Sequence, residues 1–167
     1  YLIDQHAAHE RILYDRILAQ WSQKTVEIQG LLQPITMEFS PREEETLRAS
    51  KESLAEFGFA IEPFGNRSHL VRAIPAVMAG TNTIAIITAL LDSLASKEDL
   101  TPWQEKIAKS LACHGAVKAG QQLANDEIRE LIKQLEQTKQ PRTCPHGRPT
   151  MIHLSSHQLE REFGRIA

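Results

Sequence analysis

Two stretches of this chain carry side chains that bind metals. In Asp4-Gln5-His6-Ala7-Ala8-His9-Glu10, His6 and Glu10 stand four residues apart. On a helix that spacing puts both on one face, about 6 Å apart along the axis. Asp4 precedes them at a strand-to-helix joint, where its carboxylate either caps the helix or turns inward to a metal. Imidazole and carboxylate together suit zinc or manganese. His9-Glu10 begins like a zincin motif, but that motif needs a His three residues past the Glu, and position 13 is Leu. The second stretch is Cys144-Pro145-His146-Gly147-Arg148-Pro149-Thr150. Its prolines and glycine make a rigid turn that presents a thiolate and an imidazole together. That is half of a Cys/His zinc site, and the other half has to come from elsewhere in the chain. Each stretch also has an ordinary explanation. Asp4 is then an N-cap, His6 is packed, His9 and Glu10 are solvated, and Arg148 meets a phosphate or a helix C-terminus.

Two further stretches are less specific. Within Ser110 to Gln121, Ala112, Ala116 and Ala119 give a small-residue surface, with Cys113 beside His114 and Lys118. A packed helix explains them as well as a site does. In Gln29-Gly30-Leu31-Leu32-Gln33-Pro34, a glutamine leads apolar residues to a proline. The pattern resembles short peptides that insert into sliding-clamp pockets, and equally an edge strand ending at a proline.

The elements that must hold these residues are marked by helix-start signals. Ser40-Pro41-Arg42-Glu43 has the Ser and Glu of a capping box with Pro at the first helical position. Thr101-Pro102-Trp103-Gln104 repeats the design, Ser155 with Gln158 offers a third box, and Asn125 suits an N-cap. Helices are expected at about 5–22, 41–56, 82–96, 102–119, 126–137 and 156–163. Strand-like runs are Tyr1–Ile3, Thr25–Ser40, Phe59–Gly65, Ser68–Pro75 and Thr150–Leu154, the third and fourth forming a hairpin about Gly65-Asn66. Strands and helices do not alternate evenly, so the fold class is α+β. Residues ~34–100 could form a β-α-β-β-α lobe of their own.

The 167 residues are 41% hydrophobic and 24% charged, enough for a packed core in one domain or two small lobes. No apolar run approaches the ~20 residues of a membrane span. Tyr1 opens inside a strand-like run, so the chain reads as a fragment of a longer one. A formal net charge of -2 argues against strong autonomous binding to nucleic acid, which needs clustered Lys and Arg. Cys113 and Cys144 are too few for a disulfide framework and read as thiols or metal ligands.

Together the four stretches resemble the C-terminal domain of the MutL mismatch-repair proteins. The endonuclease branch of that family carries D-Q-H-A-x2-E-x4-E, followed here by Asp4-Gln5-His6-Ala7, Glu10 and Asp15. Its A-C-R element is similar to Ala112-Cys113-His114, its C-P-H-G-R-P element is intact from Cys144 to Pro149, and its F-x-R element matches Phe163-Gly164-Arg165. There are two departures. Asp15 shortens the last acid of the first motif, and His114 replaces a permanent cation by one that titrates near neutrality.

The resemblance implies that the stretches converge, with His6, Glu10, Cys144 and His146 binding zinc or a related divalent metal and Asp4 and Cys113 beside them. It implies nicking of one strand of duplex DNA by two-metal hydrolysis supported by manganese or magnesium. Asp4, His6 and Glu10 are then the catalytic residues, with Asp15 and Arg148 supporting. Residues 1–28 and 102–167 would form a dimerisation lobe carrying the metal site, and residues 29–101 an external, regulatory lobe. A bacterial homodimer of cytoplasmic, nucleoid-associated location is implied. Its partners would be the polymerase sliding clamp, bound through Gln29, Leu31, Leu32 and Pro34, and the mismatch-recognition protein MutS. ATP would act only through an N-terminal domain outside this sequence. The alternatives are a non-catalytic dimerisation and clamp-binding module, and a domain in which zinc serves folding alone.

Overall fold

A computed structural model of the chain describes residues 1–96, 100–118 and 120–165. By internal contacts it forms two compact units, Tyr1–Ile12 with Val117–Ala167, and Leu13–Ala116. The fold is α+β, with two small antiparallel sheets. No helix among the described residues is long and apolar enough to cross a membrane.

The first unit opens with β1 (Leu2–Ile3) and the first turns of α1 (Gln5–Ser22). It continues with α6 (Asn125–Glu136), β5 (Met151–Ile152) and α7 (Ser156–Glu162). β1 pairs with β5 antiparallel, Leu2 opposite Ile152 and Ile3 opposite Met151. Ala8, Ile12 and Leu135 form its small core, with Ile3, Leu131 and Met151 packed against them. α6 contributes to that cluster through its one apolar stripe, which includes Leu131 and Leu135.

The second unit contains β2 (Ile28–Glu38), α2 (Pro41–Ala49), α3 (Lys51–Glu56), β3 (Ala60–Pro63), β4 (Ser68–Pro75), α4 (Thr83–Ala95) and α5 (Trp103–Gly115). Its sheet has the order β2-β4-β3, all antiparallel, so β2 is an edge. The expected β3–β4 hairpin forms, with Gly65 at φ 88 and Arg67 at φ 53 in its loop. Ile86, Ile87, Leu90 and Leu91 of α4 meet Ile107, Leu111 and Phe57 in the main core. Gly115 ends α5 against the chain after β4, where a Cβ would lie 2.9 Å from Val77 Cγ2 and 3.1 Å from Val77 O.

Four local expectations need correction. The helix expected over 41–56 breaks at Ser50 (φ -107, ψ 8), consistent with serine's weak preference for helix interiors. The helix expected over 102–119 ends at Gly115, because Ala116 is already extended; Ala119, third of the small residues, lies outside the described residues. Its N-cap is Pro102, which has no side-chain acceptor, so the box read from Thr101 does not set the start. Asn125 lies inside α6; the N-cap is Ala124, whose N–H donates to Glu127 Oε2 at 2.7 Å. The boxes at Ser40 and Ser155 are both present.

Candidate metal centre

The first helix is aimed by its cap. Asp4 Oδ1 accepts from the N–H groups of His6 and Ala7 at 2.9 and 3.0 Å, and Asp4 N donates to Thr150 O at 2.9 Å. With the start so fixed, the four-residue spacing turns His6 and Glu10 to one side. Glu10 is only 1% exposed. A carboxylate so buried is costly unless it is paired or bound to a cation.

The second half of the site is a tight hairpin. Cys144 N donates to Arg148 O at 2.8 Å and Gly147 N to Cys144 O at 3.0 Å, with Gly147 at φ 83. That left-handed conformation is why glycine stands there. Thr143 bridges Pro149, Thr150 N donates to Arg142 O at 3.1 Å, and the buried Thr150 hydroxyl donates to Pro141 O. The hairpin is stapled to α1 by Arg11. This side chain, 6% exposed as a residue, donates through Nε to Thr143 O at 2.6 Å and through Nη2 to Gln140 Oε1 at 3.4 Å.

The two halves meet. One ligand atom each from Glu10, Cys144 and His146 lies within 4.8 Å of the others. Glu10 Oε2 is 3.3 Å from His146 Nδ1, across 136 residues of sequence, and Oε1 is 3.2 Å from His6 Nε2. His6 Nδ1 donates to Val117 O at 2.8 Å. A carbonyl can only accept, so the proton sits on Nδ1. That leaves Nε2 as the ring nitrogen facing the carboxylate oxygen, where a shared cation would satisfy both. Anchoring one ring nitrogen on a backbone carbonyl is also the usual arrangement of a metal-bound histidine.

This donor set fits zinc. Bonds of about 2.0–2.3 Å in a tetrahedron set ligand atoms roughly 3.3–3.8 Å apart, close to the 3.2 and 3.3 Å that separate the Glu10 oxygens from His6 Nε2 and His146 Nδ1. Thiolate, imidazole and carboxylate are all ligands that zinc accepts. Cys144 is 1% exposed, and both cysteines are thiols.

Comparison with known proteins adds the family. The profile described as "MutL C terminal dimerisation domain" matches residues 1–123. The chain belongs to this family. Similar relatives, each called DNA mismatch repair protein MutL, come from Geobacter sp. (strain M21) at 40% identity, Anoxybacillus flavithermus at 39% and Koribacter versatilis at 36%. Each alignment covers 99% of this chain but only 26–28% of the relative. The chain thus spans about a quarter of the length of these MutL proteins. The profile stops before Cys144 and His146, whereas the MutL relatives align through them.

Within this MutL family chain the remaining candidates fall as follows. Asp4 is exposed, spends Oδ1 on the helix cap, and stands outside the Glu10–Cys144–His146 group. Cys113 is half-buried on α5 and Asp15 half-buried on α1, both in the second unit. His114 Nδ1 donates to Ser110 O at 2.8 Å, a bond internal to α5. Arg148 closes the hairpin through its carbonyl, and its side chain is exposed. Gln29 to Pro34 does not end a strand. β2 continues to Glu38, and its register slips between Gly30 and Ile35, leaving Leu31 partly buried and Leu32 fully exposed at 100%.

Sequence reasoning missed Arg11 and His9. His9 is no bystander: its Nδ1 accepts the Val117 N–H at 3.0 Å, and burial, then the neighbouring His6, push its pKa down. Gln5 Nε2 donates to Gln121 O at 2.6 Å on the same segment. An available signal was an arginine directly before the apolar run Ile12-Leu13-Tyr14.

Proposed function

We propose that this chain is the metal-dependent nicking endonuclease domain of a bacterial mismatch-repair protein. The observation that carries the reading is the meeting of buried Glu10 and Cys144 with the exposed His146 in one cluster. His6, Glu10, Cys144 and His146 would hold zinc, with manganese or magnesium supporting turnover. When bound, such an ion supplies Lewis acidity, lowering the pKa of a water and neutralising charge on phosphate. The protein's own part is to hold that cluster rigid. Asp4 fixes the pitch of α1, Arg11 fixes the hairpin, and Glu10 offers a desolvated carboxylate with both oxygens turned to imidazoles.

The rest of the assembly is part of the proposal. Tyr1, Leu2, Ile128, Ile152, Leu159 and Phe163 are all at least 40% exposed in the first unit, apolar side chains that a second copy could cover. That supports a homodimer joined through the lobe of residues 1–28 and 102–167. The looped-out Gln29–Pro34 segment, with Leu32 uncovered, supports docking of the 29–101 lobe on the sliding clamp. Clamp, MutS and the ATPase region of the whole protein would recruit duplex DNA that a net charge of -2 attracts only weakly. A second reading, a non-catalytic module whose zinc serves folding, is favoured by the place of Asp4 outside the cluster.

One substitution separates the two. Asp4→Asn keeps an N-cap acceptor and removes the charge. The endonuclease reading expects a folded, zinc-loaded full-length protein that no longer nicks supercoiled plasmid with manganese. Undiminished nicking by that variant, in a preparation free of other nucleases, would defeat this mechanism.

A further inference from the structure

His6 and His9 lie one turn apart on α1 and grip the same residue across more than 100 positions of sequence. His6 Nδ1 donates to Val117 O at 2.8 Å, and Val117 N donates to His9 Nδ1 at 3.0 Å. Both backbone polar atoms of Val117 are thereby engaged. The chemistry of each bond fixes where a proton sits. Val117 O only accepts, so His6 carries hydrogen on Nδ1; Val117 N–H only donates, so His9 leaves Nδ1 bare.

His6 faces competing demands. Glu10 Oε1, 3.2 Å from Nε2, favours a proton on that nitrogen. Only a carbonyl held firmly at Nδ1 keeps the proton on the other side. His9 supplies that firmness, because it turns the Val117 N–H, and with it the residue, into a set orientation. Gln5, bonded to Gln121 O at 2.6 Å, tethers the segment further on but does not touch Val117.

We propose that His9 is a positioning residue for His6: by accepting the Val117 N–H it holds Val117 O on His6 Nδ1–H and so reserves Nε2 for the site at Glu10. The inference rests on the metal-site reading for its use, but not for its chemistry. A side chain acting on the orientation of a ligand in this way affects metal affinity about 10–100-fold.

The test uses protein labelled with 15N-histidine, stripped of metal by a chelator and held at mildly alkaline pH. Long-range correlation spectra of the ring nitrogens then report protonation at each one. Expected are a protonated Nδ1 on His6 and an unprotonated Nδ1 on His9. In His9→Ala the His6 proton should move to Nε2, and zinc affinity from chelator competition should fall at least about 10-fold. His9→Asn, whose amide oxygen occupies nearly the position of Nδ1, should restore both. A wild-type spectrum with a bare His6 Nδ1 or a protonated His9 Nδ1 overturns the inference without any variant. So does a folded His9→Ala protein with His6 and zinc affinity unchanged. If the wild type takes up no zinc yet shows both expected nitrogens, the metal reading fails and the positioning of His6 by His9 stands.

Discussion

Removing the guanidinium of Arg11 tests how the thiolate half of the site is held. Arg11→Met keeps an apolar stem of similar length and deletes the donors to Thr143 O at 2.6 Å and Gln140 Oε1 at 3.4 Å. A charge-assisted bond at the shorter distance contributes about 1.5–3 kcal/mol, and the longer contact only a few tenths. Against this, methionine has no cation to desolvate, which offsets part of the loss. The balance is a destabilisation of about 1–3 kcal/mol. For a chain of this size each kcal/mol moves the melting temperature by about 2–4 °C, so a drop of about 2–12 °C is expected in chelator. Thr143 directly precedes Cys144, so a loosened hairpin also holds its thiolate less well. Added zinc should therefore raise the melting temperature less in the variant than in the wild type, since ligand stabilisation follows affinity. Arg11→Lys should recover only part of either effect, because a lysine ammonium has no donor at the Nε position. Equal melting temperatures for wild type and Arg11→Met, with and without zinc, would refute the staple.

Gly115→Ala should destabilise the second unit by about 1 kcal/mol. A helix-propensity gain of about 0.5–1 is outweighed by about 1–3 of overpacking, since the new Cβ meets Val77 Cγ2 at 2.9 Å and its carbonyl oxygen at 3.1 Å. Thermal melting checks this, and a more stable variant would contradict the close approach. Ser40→Ala should cost about 0.5–2 kcal/mol near neutral pH through loss of the cap. The Ser40 hydroxyl, then its backbone N–H, hold Glu43 below its ordinary pKa of 4.5. A lowered folded-state pKa gives stability that is full above the unfolded value and lost as pH falls through the folded one. The Ser40→Ala penalty should therefore shrink in denaturant titrations taken below about pH 4.5. A penalty independent of pH would show that the charge of Glu43 plays no part in the cap.

Local order was legible because it depends on neighbours in sequence. The capping box at Ser40, the hairpin about Gly65-Asn66 and the apolar stripe of α6 each satisfy short-range rules, and each formed within a few residues of expectation. Where ends slipped, a competing local preference explains it, such as Ser50 interrupting one helix or the chain turning extended after Gly115. The shared face of His6 and Glu10 is of the same kind, since a four-residue spacing on a helix determines it.

What the sequence could not decide is which distant backbone each buried polar group would find. Asp4 is a separate, local case: its spacing allowed a cap or a ligand, and the N–H groups of His6 and Ala7, two and three residues on, took its Oδ1. His9, Arg11 and Thr150 look incidental as letters. They became structural once the folded chain brought Val117, Thr143 and Pro141 to them. The order of local signals thus determined the α+β class, and the motifs determined the family resemblance and the list of candidate ligands. Only tertiary structure brought His146 to the carboxylate that His6 already faces within α1, because a partner 136 residues away is beyond any local rule.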